Sequence, residues 1–242
     1  MSLGSGGRRV AIVIPVFNER DALPLVVGAI PEELAKDVVV VDNASTDGTA
    51  EIARGLPVRI VREERRGYGS ACLAGVAALA DRPPDVIVFL DGDFSDHPEE
   101  MPRLLEAVDA GADLVIGSRV RGRREPGALL PQARVGNALA CALIRWLFGH
   151  RYTDLGPFRA IRRDAYERLG MKDPDFGWTC EMQVKALQAG LRVAEVPVSY
   201  RRRVGVSKIT GTLRGTLRAG GKILWTIFRT RYGRGILRRR RP

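Results

Sequence analysis

Asp91 and Asp93 stand two residues apart, with Gly92 between them, at the end of the apolar run Val86-Ile87-Val88-Phe89-Leu90. Two carboxylates this close repel each other and are costly to keep charged unless a cation lies between them. Their hard oxygens suit Mg²⁺ or Mn²⁺, and such a metal usually also holds substrate phosphates. The run before them has the length and β-branched content of a strand buried on both faces. The two acids then fall at its C-terminal end, where open α/β sheets bind ligands. A solvated Asp-Gly-Asp turn is the plain alternative, and the triplet alone does not decide between them.

The elements around the triplet repeat its pattern. Arg9 to Pro15 reads as a first buried strand, followed by Val16-Phe17-Asn18-Glu19. Val38 to Val41 is a second, ending in Asp42 and the turn-forming run Asn43 to Thr49. Asp113 to Gly117 is another, running into Ser118 and Arg119. Four polar clusters on one edge of one sheet would make a site. Asp21 is a candidate N-cap for a helix reaching Ile30, and Thr46 or Asp47 for a helix starting near Thr49. Val58 to Val61 is a short strand. Gly67-Tyr68-Gly69-Ser70 opens a helix over Ala71 to Ala80, either as backbone that lets an anion approach or as a simple glycine turn. Pro98-Glu99-Glu100 starts a helix running to about Ala110. Strand and helix alternate, which predicts a mainly parallel α/β sheet flanked by helices.

The second half is more basic. Val120 to Pro131 carries Arg121, Arg123 and Arg124 in a loop that could act as a lid. Pro131 to Phe148 reads as a helix with Val135, Leu139, Leu143, Trp146 and Leu147 on one face and Arg134 and Asn137 in its first turns. Thr153 to Arg159 leads into a short strand, and Arg163 starts a helix. A further helix opens at Phe176 and ends at Gly190. Arg192 to Tyr200 reads as a strand whose Pro197 suits a sheet edge. In the tail, Leu213, Leu217, Leu224, Ile227 and Phe228 fall on one side of a helical wheel. Arg214, Arg218, Lys222 and Arg229 fall on the other, and Arg238 to Arg241 follow. A basic amphipathic helix of this kind suits an anionic membrane surface, unless it packs on the domain with its cations in water.

The 242 residues carry a formal charge of +11. An anionic partner is therefore expected: phosphorylated substrates, an anionic membrane or nucleic acid. The cations concentrate in one loop and the tail, without an interleaved aromatic surface, which disfavours specific nucleic-acid recognition. Cys72, Cys141 and Cys180 are far apart and form no CxxC pair, as expected of buried thiols in a reducing compartment. His97 and His150 are too few for a His-rich metal site. No apolar stretch reaches the ~18 residues needed to span a bilayer. The expected organisation is a disordered start (1–7), one domain (8–209) and a basic amphipathic tail (210–242).

The motifs Val13-Ile14-Pro15-Val16-Phe17-Asn18-Glu19, Val40-Val41-Asp42-Asn43-Ala44-Ser45-Thr46-Asp47-Gly48-Thr49 and Phe89-Leu90-Asp91-Gly92-Asp93, in this order, resemble those of glycosyltransferase family 2. Gly117-Ser118-Arg119, Gly156-Pro157-Phe158-Arg159-Ala160 and Ser207-Lys208 are similar to its dolichyl- and polyprenyl-phosphate sugar transferases. The resemblance covers about residues 8 to 212. It implies a GT-A (Rossmann-like) fold, a nucleotide-sugar donor, a divalent metal and inversion at the anomeric carbon. Pro15, Phe17 and Glu19 would then line the nucleoside, with Glu19 on the ribose. Asp42 would bond the base, and Gly67 would lie near the nucleotide. Asp91 and Asp93, around Gly92, would hold Mg²⁺ or Mn²⁺ on the donor diphosphate with Ser95, where many relatives carry glutamine. Arg119 and Arg134 would take an acceptor phosphate. Lys208, with Arg201 to Arg203 nearby in sequence, would neutralise the donor phosphates or the leaving group.

The implied reaction is transfer of a hexose from UDP-glucose or GDP-mannose to a polyprenyl-phosphate-type lipid, by an enzyme peripheral on the cytoplasmic membrane face. A phosphate monoester is already ionised near neutral pH and needs no general base. A hydroxyl acceptor, the alternative, would need one, and Glu181 and Asp154 are the candidates. A binding protein without turnover is disfavoured by the intact acidic pair.

Overall fold

A computed structural model describes residues 8–205, 220–222 and 224–231. Seven strands form one sheet: β1 Val10–Val16, β2 Val38–Asp42, β3 Arg59–Arg62, β4 Val86–Phe89, β5 Leu114–Ser118, β6 Arg159–Arg162 and β7 Val193–Pro197. Their spatial order is β3-β2-β1-β4-β6-β5-β7. β1 pairs in parallel with β2 and β4, Val16 opposite Asp42 and Val13 opposite Phe89, so the segments leaving these strands emerge on one edge. β6 runs antiparallel between β4 and β5, and the rest of the sheet is parallel, as the alternation predicts. β7 is the edge strand, which explains why Pro197 is tolerated there.

The helices are α1 Leu23–Gly28, α2 Thr49–Arg54, α3 Tyr68–Ala77, α4 Met101–Asp109, α5 Pro131–Phe148, α6 Arg163–Leu169 and α7 Trp178–Gln188. They cover both faces of the sheet, and β4 shows the consequence. Val86, Val88 and Leu90 pack in one core with Leu23 and Val26 of α1 and Met101 and Leu104 of α4. Ile87 and Phe89 enter a second core with Cys72 of α3 and Trp178 of α7. A strand covered on both sides gains nothing from alternating polarity, hence the unbroken apolar run.

Several local expectations give way. Asp21 does not cap α1, whose cap residue is Ala22, with no side-chain bond. At α2 the cap position is Gly48, at φ 91°, but the Asp47 carboxylate accepts the Thr49 amide at 3.0 Å. A 3-10 turn, Pro98–Glu100, precedes α4. α5 has the expected bounds, yet its apolar positions divide. Ala140, Cys141 and Ile144 are buried, while Val135, Leu139 and Trp146 face outward.

Residues 220–222 and 224–231 are helical, and this part of the tail packs on the domain. Ile227 is fully buried. Lys222 pairs with Asp173 at 3.2 Å, and Gln188 donates to the Thr230 carbonyl at 2.8 Å. Trp225 and Phe228 remain exposed. Lys208, residues 210–219, the terminal arginine run and the 209/210 boundary lie outside the described residues.

Candidate active site

Three loops leave β1, β2 and β4 side by side. Each contains one non-glycine residue in the left-handed region: Asn18 (φ 55°), Ala44 (φ 58°) and Phe94 (φ 62°). No other described non-glycine residue has positive φ. Such conformations cost on the order of 1–3 kcal/mol each and persist only where the surroundings enforce them. Here the loops enforce one another. The Asn18 amide donates to Ser45 Oγ at 3.0 Å, and the Thr46 amide donates to Asn18 Oδ1 at 2.8 Å. The Glu19 amide donates to Thr49 Oγ1 at 2.9 Å. Gly92 lets the β4 loop lie against β1, because a Cβ there would press into Val16 and the Pro15 carbonyl.

Between these loops lies a cleft of about 340 Å³, lined by Pro15, Phe17, Glu19, Asn43, Arg66, Gly67, Asp91, Gly92, Asp93, Asp175 and Arg203, among others. The Arg66 guanidinium stacks over the Phe17 ring at 3.7 Å. The expected Pro15, Phe17, Glu19, Gly67, Asp91, Gly92 and Asp93 therefore meet in one place. Asp42 does not join them. It is 1% exposed, accepts the Ser45 amide at 3.0 Å and pairs with Arg62 at 2.5 Å. Its neighbour Asn43 lines the cleft instead. Asn43 Nδ2 donates to the Glu63 and Arg65 carbonyls, and Oδ1 accepts the Gly67 amide at 2.8 Å. That bond, and one from the Ser70 amide to the Pro174 carbonyl, uses two of the amides at the start of α3 inside the protein. The glycine of the turn is needed for a different reason: at φ 141°, a Cβ on Gly67 would collide with the Pro174 carbonyl.

The acidic cluster is strained in a way that a cation would relieve. Asp91 Oδ1 is buried without a hydrogen-bond partner. Burial, and then the charge of Asp93, pushes the Asp91 carboxyl up to about 7. Asp96 was not singled out in the sequence, although it lies only three residues beyond Asp93. It is 1% exposed, has an unpartnered Oδ1, and is raised well above the usual carboxylate range by burial and then by Asp91 and Asp93. Ser95 donates its amide (2.9 Å) and its hydroxyl to Asp93 Oδ1, so it holds a carboxylate in place. Among the described residues, no three His, Cys, Asp or Glu side chains form a closed metal cage. The donor set fits a hard divalent cation shared with ligand oxygens from outside the chain.

A cation of the protein also reaches the cluster. The chain after β7 returns across the site, with the Arg201 amide donating to the Ser95 carbonyl (2.9 Å) and the Val204 amide to the Asp93 carbonyl (3.0 Å). Arg203 then pairs with Asp93 Oδ2 and lies 3.6 Å from Glu19. Of the Arg201 to Arg203 group, this is the member at the acids.

The two expected acceptor arginines stand in different surroundings. Arg119, at the end of β5, makes a two-pronged pair with the fully buried Asp154 (2.9 and 2.7 Å) and donates its amide to the same carboxylate. Asp154 is thus an anchor, unsuited to act as a base. Glu181 is likewise occupied, accepting the Lys172 and Asp173 amides and pairing with Lys185 at 2.7 Å. Arg134 is exposed on α5, beside a second cavity of about 450 Å³ lined also by Val120, Arg124, Leu129, Val135 and Thr153. Thr153 bonds Ser118 at 2.7 Å, so this cavity adjoins the Arg119–Asp154 pair.

Comparison with known proteins agrees with this geometry. The profile of glycosyl transferase family 2 matches residues 11–170. The polyprenol monophosphomannose synthase of Mycolicibacterium smegmatis is 37% identical over 222 residues, covering 85% of this chain and 82% of that protein. The undecaprenyl-phosphate mannosyltransferase of Micrococcus luteus is 36% identical over 249 residues, covering 93% and 99%. Glucosyl-3-phosphoglycerate synthase from Mycobacterium tuberculosis, solved with Mn²⁺, UDP and glucosyl-3-phosphoglycerate, superposes with a TM-score of 0.73 at 21% identity, over 93% of this chain and 80% of that one. A GT-A-like sheet, an acidic cluster at the loops of its central strands and a family match over most of the domain converge: the chain belongs to glycosyl transferase family 2 and is a transferase enzyme.

Proposed function

We propose that this enzyme moves a hexose, with mannose favoured by the relatives' names, from a nucleotide-sugar to a polyprenyl-phosphate-type lipid. The observation that carries the donor half is the unpartnered, buried Asp91 oxygen beside Asp93 in a cleft lined by Phe17 and Glu19. Asp91 and Asp93, with Asp96 behind them, would hold Mg²⁺ or Mn²⁺. The ion would supply positive charge to a departing nucleoside diphosphate. Arg203, already at Asp93, is the protein's own cation for that developing charge. Phe17 offers an apolar surface to the nucleoside, and Glu19 an acceptor for ribose hydroxyls. Asp42 supports the β2 loop, and Asn43 is the residue of that loop in the cleft.

In the transfer, the bond between the anomeric carbon and the diphosphate oxygen breaks with its electron pair leaving on the diphosphate. A phosphate oxygen of the acceptor forms the new bond from the opposite face, which inverts the anomeric centre. Such an acceptor is ionised near neutral pH, with a second pKa of about 6, and needs orientation only. That suits a site whose two candidate bases, Asp154 and Glu181, are both tied up. Arg134, beside the second cavity, would take the acceptor phosphate, and Arg119 would set the cavity's inner wall through Asp154 and Thr153. Among the described residues no helix is long and apolar enough to cross a membrane, so a lipid acceptor would be met at a membrane surface.

The test is a screen of radiolabelled GDP-mannose, UDP-glucose and UDP-galactose with Mn²⁺, each with and without a polyprenyl phosphate. Label entering the organic phase only with the lipid is expected, and identifies the donor. Donor hydrolysis without lipid labelling would discard the acceptor and revive a hydroxyl.

A further inference from the structure

The outward side of α5 is apolar and has no partner among the described residues. Val135, Leu139 and Trp146 are 69%, 56% and 77% exposed, and Ala142 is exposed between them. At about 100° per residue these four fall within about 60° of one another, on a stripe roughly 16 Å long. The stripe lies opposite the buried Ala140 and Ile144. Single exposed apolar side chains are ordinary, but a continuous stripe ending in tryptophan is not.

The charges around the stripe say what covers it. From Pro126 to Thr153 the chain contains no Asp or Glu, and it carries Arg134, Arg145 and Arg151. Arg134 and Arg145 lie together on one flank of the stripe, about 90–110° from its centre. Two copies of this face packed on a two-fold axis would bring these arginines together with no acid on the helix to offset them. An anionic bilayer meets both features at once, taking the apolar residues into the acyl boundary and the arginines among the headgroups. The second cavity opens beside the stripe and shares Val135 with it.

We propose that the outer face of α5 docks on the surface of an anionic lipid bilayer, lying in the interface and not crossing it. The described part of the tail helix adjoins the C-terminal end of α5, with Arg231 over the Phe148 ring at 5.9 Å. Docking through α5 places the second cavity's mouth at the lipid headgroups. The assignment stands apart from the acceptor reading, because vesicle binding needs neither donor nor acceptor.

The full chain is compared with the double variant Leu139→Gln/Trp146→Gln by co-sedimentation with phosphatidylglycerol–phosphatidylcholine vesicles and with phosphatidylcholine vesicles alone. The wild type is expected to bind the mixed vesicles better than the neutral ones. The variant should partition at least about tenfold less, because two large side chains no longer leave water. Its melting midpoint should stay unchanged, since both side chains are already exposed in the folded chain. Equal partition of the two forms would overturn the proposal, as would a wild type that ignores anionic vesicles. So would a wild-type dimer that the variant dissolves while vesicle binding persists, which would assign the stripe to a second copy. Loss of vesicle binding in the variant, in a protein that never labels polyprenyl phosphate, would uphold the docking face and bring down only the acceptor reading.

Discussion

The donor cleft and the α5 side are built by opposite means. The cleft is carried by three neighbouring parallel strands whose ends are set by register, and most of its residues stand within a few positions of a strand end. It concentrates unfavourable terms: left-handed Asn18, Ala44 and Phe94, half-buried Asp91 and buried Asp96, and a buried, unpartnered oxygen on each of these two acids. The α5 side has few of these. Its anchor is a long-range pair, Arg119 with Asp154, that satisfies every oxygen it uses, and its outer helix exposes apolar carbon in place of buried charge. Strain gathers where a ligand must supply the missing partner. Satisfied pairs gather where a wall must hold its shape.

The contrast can be broken most sharply at Asp93. Asp93→Asn removes the carboxylate that pairs with Arg203 and is proposed to hold the cation, and kcat/KM is expected to fall by roughly 10³ or more, a loss of about 4 kcal/mol in transition-state stabilisation. The melting midpoint should hold or rise, because a buried repulsion is gone. A variant that loses activity and stability together would mean the acid is part of the scaffold. Asp154→Ala should do the reverse of Asp93→Asn. It leaves Arg119 buried without its partner and should cost about 3–5 kcal/mol of stability, read by denaturant unfolding. The double variant Arg119→Met/Asp154→Leu should recover most of that loss, and failure to do so would show that the pair supplies more than mutual neutralisation.

A pH series sharpens the same contrast. The folded protein keeps a proton on Asp91 up to about pH 7, whereas an unfolded chain has released it near the ordinary value of 3.8. This carboxyl's contribution therefore favours the folded state at low pH and declines as pH rises toward 7. The stability of Asp91→Asn relative to wild type, both metal-free, should accordingly increase across that interval. Mn²⁺ should narrow the gap most at the upper end, where the carboxylate is ionised. A gap that does not change with pH would remove the strain assigned to this side chain. The smallest effect is expected at Leu139→Ala, on the exposed stripe. Folding stability should change by no more than about 0.5 kcal/mol. A larger loss would mean that the stripe packs against part of the chain.

Much of the cleft was legible in the residues. The run from Val86 to Leu90 followed by two acids has few readings once three other strands end in polar loops. Local periodicity also sufficed for the bounds of α5 and for the edge position of Pro197. It did not suffice for the loops' internal wiring. Asp42 and Asn43 are adjacent, and the partners that tertiary structure brings to each, Arg62 to one and the Gly67 turn to the other, separate the buried residue from the one in the cleft. Asp96 is close to the triplet, but the backbone that bridges to it, at Tyr200, comes from more than a hundred residues away. The apolar positions of α5 carry a helical pattern without saying which of them meet the core, since both sides of this helix are apolar.

The sequence alone determined a mainly parallel sheet covered on both faces, its acidic triplet at a strand end and its family. These follow from short-range patterns: apolar runs, turn formers and the two-residue spacing of Asp91 and Asp93. Tertiary structure decided the pairing of Arg119 with Asp154, the delivery of Arg203 to Asp93 and the exposure of Val135, Leu139 and Trp146. The reason is physical. A charge's partner and a helix's buried side are set by which distant segment desolvates them, and that is a property of the folded chain's packing.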